Sequence, residues 1–539
     1  MAWKGNLFSR KADLWCKVSR TSPWVLSEGT HLRHRLWPNP CVWCWQLFLV
    51  SLLFSKDVKN AYFSGHEIGR ELYLQQPRGG LPGLKKGQLL RASFSEAARL
   101  FWLALREHLL SDNWVESRLE PALFYLRDAE GRLAGVLVTH VDDIEAGVRK
   151  DMVEKAFENS SKALEFATSN QGSFIFRGRE ISQAQDGHVD VSMTNYAKAM
   201  KPVKIARERR QQLESRLTME EKNQMMSAAG ELGWITRQLR SDLSYENGCI
   251  QRCKGDPCVA DLVRVRQAIA AARRAATFRQ RYWNDVNLED AVLVHMADAG
   301  HANGVPESDD IKRYQSIGGY FLFLANKEIL EGKPARANLL AFHSSQTKRV
   351  CRSTLAAEAS HLSEAVEAGD WLAVLLDEAL HGRQDLKHWD QLVEKRKRVY
   401  VTDSQSVFDY LHRDSTSTSS DKRMAIEGAL LRETVRRPGA EVKWIDGEQN
   451  LADILTKPRV DRALLMEYMR TGMLSLVQTE ANRKSKEKKR AQRSARKKVV
   501  KSDEKKLKEK DARIERVVAE MRERAEIESE AEVQPKEKL

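Results

Sequence analysis

The 539-residue sequence is poor in cysteine and in long apolar runs. Seven cysteines in such a length make no disulfide framework, which excludes the disulfide-stapled secreted class and suits a reducing intracellular compartment. Cys41 and Cys44 have no second ligand pair nearby, and Cys249, Cys253 and Cys258 lack a fourth ligand, so ordinary thiols are expected rather than zinc sites. The most apolar window, 41–54, holds about fourteen residues against the roughly twenty that cross a bilayer. Charged and Pro-rich sequence precedes it, unlike a signal peptide, so a buried strand or helix is expected and no membrane. No internal repeat is found. Lys and Arg outnumber Asp and Glu 89 to 75, and the net charge of +14 favours a polyanionic partner such as nucleic acid or an acidic membrane surface.

Apolar residues make up 42% and charged residues 30%, enough for two or three soluble domains with something unusually polar attached. Six of the thirteen tryptophans fall in 1–50, where neither period dominates and low order is expected. Between 51 and 200 the pattern is strand-rich. Helical spacing covers 95–110, and apolar strands at 123–126 and 136–139 flank a polar turn at 127–132, a hairpin. Residues 205–285 read as mostly helical. From 290 to 460 strands and helices alternate, as in an α/β layer. The expected strands are 291–297, 319–324, 339–342, 399–402 and 442–445. A long helix at 354–380 carries Leu355, Leu362, Val366, Leu372 and Leu376 on one face. Beyond about 482 the chain is a solvated charged helix or disordered tail: 483–510 holds fifteen Lys/Arg and four Asp/Glu.

Four acids stand at strand ends and helix starts of this α/β region: Asp298, Glu358, Asp403 and Asp453. Any one of them alone reads as a surface acid or helix cap. Together they suit hydrolysis of a phosphodiester by two divalent cations about 4 Å apart. Hard cations such as Mg²⁺ take oxygen ligands. Two carboxylates at that separation repel by roughly 4 kcal/mol at an effective dielectric of 20, so clustering them calls for cations.

The segments around these acids resemble the RNase H domain of copia-type LTR retrotransposon Pol polyproteins. The family's S-D-A-D-W-A box reads Ala297-Asp298-Ala299-Gly300-His301-Ala302. Its W-S-S-K-K-Q…S-S-T-E-A-E-Y box reads Phe342-His343-Ser344-Ser345…Thr354-Leu355-Ala356-Ala357-Glu358, and its D-N-Q-S reads Asp403-Ser404-Gln405-Ser406. Leu451-Ala452-Asp453-Ile454-Leu455-Thr456-Lys457-Pro458 matches the family's L-A-D-I-L-T-K-P letter for letter. The resemblance makes the four acids metal ligands. The family's T-K-H-I-D box reads Asp421-Lys422-Arg423-Met424-Ala425 and lacks the histidine.

Upstream, Asp57-Val58-Lys59-Asn60-Ala61-Tyr62-Phe63 resembles the D-V-K-T-A-F-L-N-G box of copia-type reverse transcriptases, and 71–77 resembles E-I-Y-M-x-Q-P. Val138-Thr139-His140-Val141-Asp142-Asp143 stands in the place of Y-V-D-D. On this resemblance Asp57 and Asp142 hold Mg²⁺ with Asp143 beside them, and Tyr62 is the gate that excludes a ribose 2′-hydroxyl. Read from the residues alone, Asp142-Asp143 is a hairpin turn that favours Asp. Looser echoes follow at 176–181 and 232–245, so the likeness covers roughly 50–470.

Three features point to impaired polymerisation. His140 replaces the tyrosine, the Y-G-L-K-Q-A-P-R-A-W helix entry survives only partly at 92–101, and fifty-six residues precede Asp57 where the family has its fingers.

The expected fold class is α/β, mixed α+β: a partial reverse transcriptase palm and connection, an RNase H-like mixed five-stranded sheet with flanking helices, then a charged C-terminal helix. The corresponding segments are 1–50 (poorly ordered), 51–200 (palm without fingers), 201–285 (helical connection), 286–460 (RNase H-like) and 461–539 (charged tail). The resemblance implies a retrotransposon Pol fragment from an integrating element, with impaired RNA-directed DNA polymerase and active RNase H. Mg²⁺ or Mn²⁺ is the implied cofactor. The implied partners are an RNA–DNA hybrid, RNA template, DNA primer and other Pol or Gag products. The expected location is intracellular, in a cytoplasmic particle or the nucleus. Arg483, Lys484, Lys488, Lys489 and Arg490 are candidate phosphate contacts or an import signal, with a merely solvated helix as the other reading. The alternative for the whole chain is a decayed or co-opted element that binds nucleic acid without catalysis.

Overall fold

The structure, a computed structural model, describes residues 51–59, 61, 73–74, 90–91, 94–303, 315–413 and 421–477. The Trp-rich 1–50 segment, Tyr62, most of the 71–77 box and the basic residues from Arg483 to Arg490 lie outside the described residues.

Alternating apolar residues build the first sheet. Its strands are β1 (Ser51–Val58), β4 (Val115–Glu116), β5 (Leu123–Arg127), β6 (Leu133–His140), β7 (Asp143–Arg149) and β8 (Phe166–Gln171). A separate two-stranded ribbon joins β2 (Tyr73–Leu74) to β3 (Leu90–Arg91), and α1 (Phe94–Ser111) follows. The order is β4-β5-β6-β7-β1-β8, all antiparallel. Successive side chains point to opposite faces. In β6, Leu137 therefore joins Phe101, Leu105 and Leu109 of α1, while Val136 and Val138 face the main core. Covering on both faces explains why β6 is buried almost end to end. The 123–126 and 136–139 hairpin of the sequence reading is present here, and so is the helix at 95–110. The apolar run 41–54 reaches into β1 at residue 51, with Leu53 and Phe54 buried.

A second sheet, β12-β11-β10-β9, joins β9 (Ser173–Phe176), β10 (Arg179–Gln183) and β11 (Val189–Ser192) to β12 (Arg279–Tyr282). Between β11 and β12 run α2 (Met219–Gln238), α3 (Ser244–Arg252) and α4 (Val259–Arg274). The 205–285 region is thus helical up to β12. That strand's four residues show no periodicity of their own and are held by pairing with β11. Cys249, Cys253 and Cys258 are free thiols on α3 and the α3–α4 connection.

The third sheet contains β13 (Val292–Gly300), β14 (Ile317–Ala325), β15 (Ala335–Gln346), β16 (Arg398–Thr402), β17 (Ala440–Trp444) and β18 (Met473–Leu474). Its order is β17-β16-β13-β14-β15-β18, antiparallel from β13 to β18, with β16 and β17 parallel to β13. The five strands read from the sequence are all here, and β18 adds a sixth. Its two residues carry no signal of their own and are selected by the edge of β15. With it comes α9 (Ala463–Thr471), whose Leu465, Tyr468 and Met469 are buried, so 463–474 packs on the sheet instead of belonging to the tail.

Across the sheet lies α5 (Thr354–His381), started by the Ser353 hydroxyl, which accepts from Ala356 N. It lies so close that a Cβ on Gly369 would fall 1.7 Å from His295 Nε2 of β13. Likewise, a Cβ on Gly318 of β14 would meet the His361 ring of α5 at 1.9 Å. Two glycines thus set the helix-to-sheet spacing. Further helices here are α6 (Gln405–His412), α7 (Lys422–Val435) and α8 (Asp453–Thr456), with a short helical segment at Trp389–Glu394. Asp421, in the box that lacks the family's histidine, is the N-cap of α7, accepting from Arg423 N and Met424 N.

Sheet one is tied to the far end of α5. The Arg127 guanidinium donates to the carbonyls of Glu378, Ala379 and Leu380 in the last turn of the helix, where Gly382 N also reaches the Glu378 carbonyl. The Glu378 carboxylate returns the contact, accepting from the Ser117 hydroxyl and Arg118 N. No described helix is long and apolar enough to cross a membrane.

Candidate metal centres

The third sheet gathers the acids of the 290–460 region. Asp298 lies within β13, two residues short of its end, and not just past a strand ending at 297. It is only 1% exposed. Asp403 follows β16 immediately, and Asp453 opens α8. β16 runs parallel to β13, which brings both acids to one end of the sheet. Carboxylate oxygens of Asp298, Asp403 and Asp453 lie within 4.8 Å of one another. Glu358, in the second turn of α5, borders this trio: its Oε2 accepts Ala299 N at 3.0 Å.

Crowding dominates the electrostatics. Burial, then Asp298 and Asp403, push the Glu358 carboxyl well above its ordinary range. Burial and Asp298 also raise the carboxyls of Asp403 and Asp453. Three residues that the sequence reading gave no role answer this charge. The Thr456 hydroxyl donates to Asp298 Oδ2. Lys457 Nζ donates to Asp298 Oδ1 at 3.1 Å and to Asp453 Oδ1 at 2.6 Å. Asn450 Nδ2 donates to the Ala297 carbonyl at 3.2 Å and so fixes the 447–453 turn against β13. Thr456 and Lys457 lie inside the eight-residue run 451–458, so the signal was present, but a motif match does not say which letters touch the acids. The Trp444 indole braces the Asp403 carbonyl at 3.0 Å.

A second trio forms in the first sheet. Asp57 near the end of β1 pairs with Asp143 at the start of β7, and Asp142 occupies the β6–β7 turn. Their oxygens also lie within 4.8 Å of one another, and all three residues are half-buried. The turn is tight: His140 pairs with Asp143, leaving two loop residues, and Val141 has φ +60°. Glycine is favoured at such a position, and a β-branched residue there is strained. Val58 N, donating to the Asp142 carbonyl at 3.0 Å, helps to hold it. Burial, then Arg177 and Arg179, push the His140 ring down to about 4, so it is neutral at pH 7.

Both trios offer hard oxygen donors at a spacing that suits Mg²⁺ or Mn²⁺ better than softer metals.

No protein-family model matches the chain. It is 23% identical over 420 residues to the retrovirus-related Pol polyprotein from transposon RE1 of Arabidopsis thaliana. The corresponding protein from transposon RE2 of that plant is 24% identical over 421 residues. The chain is homologous to these transposon Pol polyproteins. Each match covers 75% of this chain and 26% of the relative, so the chain spans about a quarter of the Pol polyproteins it matches. Among solved structures, the foamy viral protease-reverse transcriptase in complex with RNA/DNA hybrid is similar at TM-score 0.39 and 10% identity, over 77% of this chain and 47% of that one. LC11-RNase H1 from compost is similar at TM-score 0.21 and 15% identity, over 33% and 99% respectively. At such scores neither overlap bears on activity.

Proposed function

We propose that this Pol homologue hydrolyses the RNA strand of RNA–DNA hybrids at the Asp298–Glu358–Asp403–Asp453 site, with a less competent polymerase site at Asp57–Asp142–Asp143. The observation that carries the reading is the convergence of three acids from β13, β16 and α8 on one point. Acids separated by 50 to 155 residues are brought together against their mutual repulsion, which suits a cation site better than a structural role.

Divalent cations bound there supply Lewis-acid stabilisation of charge developing on the phosphoryl oxygens. The chain's own residues hold the arrangement. Ala299 N orients Glu358, Thr456 orients Asp298, and Asn450 anchors the turn that carries Asp453. The polymerase half keeps its acid trio, but His140 in place of the family's tyrosine is a departure that supports slower extension. RNA template, DNA primer and other Pol or Gag products are the further partners proposed. The compartment is proposed as a cytoplasmic particle or the nucleus.

The test is cleavage of a labelled RNA–DNA hybrid with Mg²⁺ by the full chain beside Asp298→Asn and Asp403→Asn. No cleavage by the parent, or equal cleavage by the variants, removes the nuclease reading. Primer extension on RNA, with Asp142→Asn as control, tests the other half.

A further inference from the structure

Lys457 is placed differently from the surface lysines around it. It follows the single turn of α8, its N–H donating to the Asp453 carbonyl at 2.9 Å. The i,i+4 offset puts its side chain on the same face as Asp453. From there Nζ reaches Asp453 Oδ1 at 2.6 Å and Asp298 Oδ1 at 3.1 Å. With Thr456 on Oδ2, both oxygens of the buried Asp298 are engaged by two consecutive residues. A cation drawn in by Asp298, Asp403 and Asp453 would have to use one of these same two oxygens. The Lys457 side chain is itself 37% exposed, on a flexible four-carbon stem with an outward path to water.

We propose that Lys457 is a tethered cation that holds Asp298 and Asp453 together in the metal-free protein and competes with divalent metal for them. The inference rests on the acid quartet being a metal site. An ammonium ion and a divalent cation on the same carboxylate oxygens repel each other, so metal entry drives Nζ outward. The lysine thereby stabilises the empty cluster and weakens metal affinity. Metal loading then needs a higher metal concentration than an uncompensated cluster would.

The test uses Mn²⁺ alone, with free Mn²⁺ read by electron paramagnetic resonance. The full chain carries Asp57→Asn and Asp142→Asn, so that only one cluster is read. Lys457→Met is expected to bind Mn²⁺ about tenfold tighter than its parent, and Lys457→Arg to stay close to it. Metal-free Lys457→Met should melt below the parent, with saturating Mn²⁺ closing the gap. A second measurement needs no substitution at 457. Acetylation of Lys457 in the parent, followed by mass spectrometry, should rise several-fold when Mn²⁺ is added. Equal or weaker Mn²⁺ binding by Lys457→Met, tightening by Lys457→Arg as large as by Lys457→Met, or acetylation unmoved by Mn²⁺ overturns the competition. Absence of Mn²⁺ binding by parent and variants alike overturns the metal site itself.

Discussion

The two carboxylate clusters are built by different means. Asp57, Asp142 and Asp143 come from two adjacent strands and the turn between β6 and β7, and all are half-buried. Their proximity follows from β-pairing: once Asp57 is opposite Asp143, Asp142 is one residue away. Asp298, Asp403, Asp453 and Glu358 come instead from two strands and two helices. Asp298 is almost fully buried, and Lys457, Thr456 and Ala299 N answer the accumulated charge. A half-buried cluster made by strand pairing tolerates water and strain. One made by tertiary packing has to supply its own counter-charge, because burial magnifies every uncompensated carboxylate.

The largest effect that would sharpen this contrast is catalytic. Asp298→Asn should lower hybrid cleavage by about a thousandfold, roughly 4 kcal/mol of transition-state stabilisation, while leaving primer extension unchanged. A parallel loss of both activities would break the distinction between the clusters.

Next comes the tie between the halves. Arg127→Ala removes three hydrogen bonds to the end of α5 and should cost about 2 kcal/mol, read as a lower denaturant midpoint. If the halves are coupled through this contact, both clusters should become more open to proteolysis nearby. An unchanged midpoint would mean that the Arg127 contact does not couple them.

A pH series separates buried from half-buried surroundings. Burial pushes the His295 ring down to about 3, with Arg398 adding to the effect. In the unfolded chain the ring takes a proton near pH 6.5, whereas in the folded protein it stays neutral well below that. Stability from this group is therefore complete above about pH 6.5 and falls as pH drops toward 3. Between pH 7 and 5 the loss should approach roughly 2 kcal/mol and should vanish in His295→Asn, followed as thermal midpoint against pH.

The smallest effect belongs to the polymerase hairpin. Val141→Gly should relieve the left-handed backbone and raise stability by about 1 kcal/mol. A fall in the melting midpoint would mean that the valine side chain contributes more than its backbone strain removes.

Much of this was legible beforehand. The long helix was read as 354–380 and is Thr354–His381, because its apolar residues recur at helical spacing over seven turns. The β5–β6 hairpin was legible for the corresponding period-two reason. Short elements were not: β12 and β18 have four and two residues, too few to show a period, and exist because a neighbouring edge accepts them. The packing of Leu465, Tyr468 and Met469 escaped for a related reason, since a nine-residue helix beside a charged tail shares its average composition with the tail.

By itself, then, the sequence determined which residues are acidic, in what order they occur, and which strands and helices carry them, because periodicity and short motifs are local properties. Only the tertiary structure decided that Asp298, Asp403 and Asp453 meet while Glu358 stands beside them, and that Lys457 lies between two of them. The physical reason is reach. A motif records neighbours along the chain, whereas the parallel pairing of β16 with β13 brings residues about a hundred positions apart to one end of one sheet. Burial there then makes their charges, and the lysine that answers them, a single unit.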